Sequence, residues 1–98
     1  MALTRSFRET VKARADRDPV FRAALLTEAV ELLLAGEAES GKALLRDCVN
    51  ATLGFEQLAQ ETGSTSESLM RMLGPSGNPT ATNLFAILRS LRKAVGAN

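Results

Sequence analysis

The stretch from Ser66 to Arg71 carries the side chains best suited to recognition chemistry at a surface. On a helix, Ser66, Glu67, Met70 and Arg71 share one side, because positions three and four apart lie close together. Serine donates or accepts at a base edge or a phosphate. Glutamate accepts from a cytosine amino group, methionine touches a thymine methyl, and arginine grips guanine or a phosphate through paired N–H groups. This is the set expected of a helix laid in the major groove of double-stranded DNA, with Arg71 as its main anchor. Local capping explains Ser66 and Glu67 equally well, and partial core packing is the competing role for Met70. Gln57, Thr65, Asn78 and Thr80 sit near helix starts or in the following loop, where short polar groups and backbone N–H groups hold phosphates.

The same inspection argues against catalysis. The chain has one Cys, which excludes an internal disulfide, and no His, so a structural zinc site is not expected. Cys48 lies in an apolar helical pattern and reads as a small buried hydrophobe. With no phosphate-cradling Gly-rich loop either, no enzyme activity, cofactor or metal is expected.

Two short helices must position the recognition residues, over about 55–62 and 66–73. Helices that cross closely need a small residue at the crossing, and Ala59 supplies it. The turn needs a residue that tolerates positive φ, and Gly63 follows four positions later. Leu69 and Met72, six and nine residues after Gly63, return apolar groups to the core, with Leu73 beside them and Leu58 facing them. These spacings match a helix-turn-helix, with any Gly-joined helical hairpin as the competing reading. Ser64 departs from the motif, because an apolar residue usually plugs the gap there. Ser64 and Thr65 compete as the cap of the second helix, and Glu67 would complete a capping box with Ser64.

The rest of the chain reads as helices punctuated by Gly and Pro. A charged helix over 4–16 repeats Phe7, Val11 and Ala15. Asp18-Pro19 opens a second helix over about 19–35, with Phe21, Leu25, Ala29, Leu32 and Leu33 inward and Gly36 at its end. A third, about 37–52, buries Leu44, Leu45, Cys48 and Val49. Residues 74–79 form a turn, and Thr80 caps a last helix over about 81–94 with Leu84, Ile87, Leu88 and Leu91 inward. The expected fold is all-α, a compact single domain of five to six helices over 1–98. Residues 1–36 form an N-terminal helical extension, and residues 37–95 the helix-turn-helix region.

Leu and Ala dominate an apolar fraction of 45%, while strand-favouring aromatic residues are scarce. The net charge is +1, but it is unevenly spread. Residues 1–36 are net +1, residues 37–63 net −3 and residues 64–98 net +3. The positive surplus thus lies in the third that contains the recognition helix. No apolar run spans a bilayer and no signal-peptide core is visible, so a cytoplasmic protein without membrane contact is expected.

The run Gly54-Phe55-Glu56-Gln57-Leu58-Ala59 through Gly63, then Ser68-Leu69, Arg71-Met72-Leu73, Gly77-Asn78-Pro79 and Leu84, resembles the addiction-module antidote proteins. These are small lambda-repressor-like, Xre-type regulators related to the HigA-type antitoxins. Arg17-Asp18-Pro19, Leu45-Arg46-Asp47 and Asn50-Ala51-Thr52 extend the resemblance over most of the chain. Its most specific part is Gly54 to Pro79. Where this chain has Ser66 and Met70, that family often has a basic and an aromatic residue.

The resemblance implies an antitoxin and autorepressor that binds operator DNA as a homodimer and masks a RelE/HigB-like toxin. The helix over 19–35 is almost continuously apolar, so Leu25, Leu26, Leu33 and Leu34 are candidates for the dimer or toxin interface. Filling the core of a five-helix domain is the equal alternative. The competing function is a protein-interaction module of the same fold with little DNA affinity, which Glu67 and the modest charge favour.

Overall fold

The computed structural model describes residues 9, 10, 13, 14 and 17–96. The five described residues before Asp18 are helical, but the expected pattern of Phe7, Val11 and Ala15 lies outside the described residues. Five helices follow: α1 (Pro19–Leu34), α2 (Ala38–Ala51), α3 (Gly54–Thr62), α4 (Ser66–Met72) and α5 (Ala81–Ala94). No strand occurs among the described residues, and the fold is all-α. None of the described helices is long and apolar enough to cross a membrane.

Helix starts follow local chemistry. Asp18 Oδ1 accepts from the N–H groups of Val20 at 3.0 Å and Phe21 at 3.2 Å, and Pro19 occupies the first turn, where its missing N–H costs nothing. The Arg14 guanidinium lies 4.5 Å from the centroid of the Phe21 ring, which helps lock the entry to α1.

The core joins α2, α3, α4 and α5. Leu45, Cys48 and Val49 of α2 meet Leu58 of α3, Leu69 of α4, Leu73 just beyond it, and Ile87 and Leu91 of α5, all essentially fully buried. Each such leucine contributes roughly 1.5–3 kcal/mol through removal from water. Leu44, Leu84 and Leu88 are half-buried at the margin of this cluster.

Helix α1 packs on α2 and departs from the expected burial. Ala29 is its one fully buried residue, while Phe21 and Leu32 are half-buried. Leu25, Leu26 and Leu33 are also half-buried and lie against the core, with Leu33 directly over Gly41 of α2. Apolar residues surround this helix on every side. Packing one side on α2 therefore leaves Val20 and Leu34 at 78% and 77% exposure.

Candidate nucleic-acid interface

Helices α3 and α4 pack together through a three-residue turn. Gly63 adopts φ 73° and ψ 15°, and its N–H donates to the Ala59 carbonyl at 2.9 Å. Only glycine takes this left-handed conformation without strain from a β-carbon. Thr65 is extended, and its Oγ1 accepts from the Ser68 N–H at 3.1 Å. Thr65 is thus the cap of α4, and the competing capping box between Ser64 and Glu67 does not form. Ser64 is half-buried in the position usually filled by an apolar plug.

The apolar framework of the motif is in place. Leu58, Leu69 and Leu73 are buried, and Ala59 and Met72 are half-buried against them. The far side of α3 is tied to α5. The Ser90 hydroxyl and then the Gln57 amide lower the Glu61 carboxyl from its ordinary value, helped by the Lys93 ammonium.

The candidate reading residues divide into two groups. Glu67 and Arg71 are exposed on α4, and Met70 is 49% exposed, so Met70 points outward more than into the core. Ser66 is half-buried, and its hydroxyl donates to the Phe55 carbonyl at 3.4 Å. Its geometry is that of a brace between α4 and α3 more than of a free base reader. Gln57 is exposed on α3, with its Nε2 donating to Glu61 Oε2 at 3.2 Å. Thr80 caps α5 by accepting from the Asn83 N–H at 3.1 Å, and Asn78 is exposed in the loop before it.

No protein-family model, curated protein or solved structure matches the chain.

Lys42 is a residue of this region that the sequence reading missed. Its ammonium, on α2, is buried and donates to the carbonyl oxygens of Gly77 at 2.6 Å and Gly74 at 3.1 Å, with Glu39 Oε2 at 2.9 Å. A signal was present. Lys42 lies three residues before Leu45 and seven before Val49, inside the apolar stripe of α2, and a lysine buried there requires acceptors. The loop it holds folds back under the end of α4. The Gly74 N–H donates to the Arg71 carbonyl and the Gly77 N–H to the Gly74 carbonyl. A β-carbon at Gly77 would run into the carbonyl oxygens of Arg71 and Met72, which explains a glycine there.

Burial, and secondarily the Asp47 carboxylate, push the Cys48 thiol up to about 11, so it is protonated and inert near neutral pH. A cleft of about 300 Å³ beside the start of α3 is lined by Arg22, Ala51, Thr52, Leu53, Gln57 and Ala94. Its one hydroxyl, on Thr52, is engaged in donating to the Cys48 carbonyl at 2.7 Å.

Proposed function

We propose that the chain is a double-stranded-DNA-binding transcriptional regulator with α4 as its recognition helix. The observation that carries this reading is a capped, core-anchored α4 that turns Glu67, Met70 and Arg71 to solvent beside the start of α3. A helix so placed offers side chains to base edges, and the adjacent helix start offers N–H groups to a phosphate. The test is binding to the DNA upstream of its own gene across a salt series. Phosphate neutralisation makes affinity fall steeply with salt. No binding at low salt sinks the reading.

The proposed biological role is antitoxin and autorepressor beside a RelE/HigB-like toxin, in the cytoplasm. It rests on the resemblance carried by Gly54 to Pro79. A homodimer is part of this proposal. Among the four candidate interface leucines, Leu34 has the most surface to offer a partner, whereas Leu25, Leu26 and Leu33 are largely committed to the core. Co-purification with the product of a neighbouring toxin-like gene tests the role. A lone gene whose product binds no such toxin argues against it.

A second reading, an interaction module with little DNA affinity, draws on the exposed Glu67 in the first turn of α4. A carboxylate there repels the DNA backbone unless it meets a cytosine amino group. Toxin binding with no salt-dependent DNA binding would favour it.

A further inference from the structure

The loop after α4 is held from a distance. It carries Asn78 and leads into Thr80, and it closes the C-terminal end of the helix that carries Arg71. Behind it lies a cleft of about 380 Å³, whose walls include Leu33, Ala38, Leu84, Pro75 and Pro79. Apolar packing therefore leaves that side of the loop only partly supported. The Lys42 ammonium spans this gap. It reaches two loop carbonyls that are 32 and 35 residues away along the chain. The Gly74 carbonyl accepts from both the Gly77 N–H and Lys42, so the turn and the clamp share one oxygen.

We infer that Lys42 is a positioning residue of the DNA-binding face, fixing the 74–79 loop and the end of α4 against α2. Its ammonium gathers two carbonyls of the loop that follows α4, Gly74 just past the Leu73 cap and Gly77 three residues on. Its compact head and three donors suit converging carbonyl oxygens. At 6% exposure it is withdrawn from solvent, so its effect on DNA passes through the loop and not through a phosphate contact. This inference rests on the DNA-binding reading above, but the clamp itself is measurable without DNA.

The experiment compares the full chain with Lys42→Met by amide hydrogen exchange and by DNA titration over a salt series, at a temperature where both are folded. Loss of charged hydrogen bonds should lower protection of the Gly74 and Gly77 amides, which donate to the Arg71 and Gly74 carbonyls, about tenfold or more, while Leu58 and Ile87 lose only what global stability loses. DNA affinity should fall about tenfold with the salt slope unchanged, because no phosphate contact is removed. A general loss of stability would lower all amides together and leave binding by the folded fraction intact.

Unchanged loop amides and affinity in folded Lys42→Met overturn the inference. A salt slope reduced by about one also overturns it, because Lys42 would then be a phosphate contact. Absence of DNA binding by the unaltered chain removes the DNA-binding reading and the affinity half of this inference, whereas the loop amides still decide the clamp. The ammonium resonance of Lys42 in the unaltered chain provides a check independent of how the variant folds. It should exchange slowly with water and show proximity to the α-protons of Gly74 and Gly77. Fast exchange without those contacts rejects the clamp.

Discussion

The Ser66 hydroxyl lies 3.4 Å from the Phe55 carbonyl oxygen, which sets the first residue of α4 beside the second residue of α3. Two helices that begin side by side bring the free N–H groups at the start of α3 close to the outward side chains of α4. The turn glycine and the Thr65 cap make this return possible within three residues.

Thr65→Ala should cost about 1 kcal/mol, since it removes the acceptor for the Ser68 N–H. Ser64→Ala should cost within about 0.5 kcal/mol, and Ser66→Ala no more than about 1 kcal/mol for one long hydrogen bond. Urea denaturation of the three variants checks the order. A larger cost at Ser64 than at Thr65 would show that the cap has been misassigned.

Arg71→Ala should leave stability within about 0.5 kcal/mol of the parent, because the side chain is exposed. In DNA titrations it should either reduce the salt slope by about one, as a phosphate contact does, or relax preference at one base pair at a cost of about 1–3 kcal/mol. Unfolding of this variant would contradict its outward placement. Unaltered DNA affinity would remove Arg71 from the interface.

Leucines at different depths should separate stability from assembly. Leu58→Ala empties a fully buried site and should cost about 2–5 kcal/mol. Leu34→Ala removes an exposed side chain and should change monomer stability by less than about 0.5 kcal/mol. Sedimentation of Leu34→Glu tests the proposed partner surface: if the parent is a dimer through this residue, the variant should shift toward monomer. An unchanged dimer places the interface elsewhere.

Cys48 makes stability sensitive to alkali. Its folded-state value of about 11 lies above the ordinary value of 9.0. Below pH 9 both folded and unfolded chains keep the thiol proton, and the thiol imposes no penalty. Between pH 9 and about 11 the unfolded chain releases the proton first, so stability falls as pH rises, by on the order of 3 kcal/mol. At pH 8, a thiol reagent should modify Cys48 only through opening of the fold, and its rate should rise with urea. Rapid labelling of the fully folded protein would contradict the burial.

Much of the architecture was legible in the chain because its signals act over a few residues. Asp18-Pro19, Gly63 and Thr80 act within one turn of their own positions, and the α3, α4 and α5 boundaries fall within a residue of those read from spacing. Leu58, Leu69, Ile87 and Leu91 were expected inward and are buried, since a helical period names the face that must leave water.

The choice between Ser64 and Thr65 needed backbone geometry, because either hydroxyl can cap from sequence alone. Helix α1 was ambiguous for a different reason: with apolar residues all round, its pattern cannot say which side meets α2, and Leu34 rather than Leu33 faces solvent. The brace from Ser66 to Phe55 and the grip of Lys42 on Gly74 and Gly77 depend on groups that only folding brings together. Composition marked Ser66 to Arg71 as a surface for recognition. Contacts across distant segments turned Ser66 inward to brace it, left Arg71 free at its edge, and gave the loop behind it a buried cation.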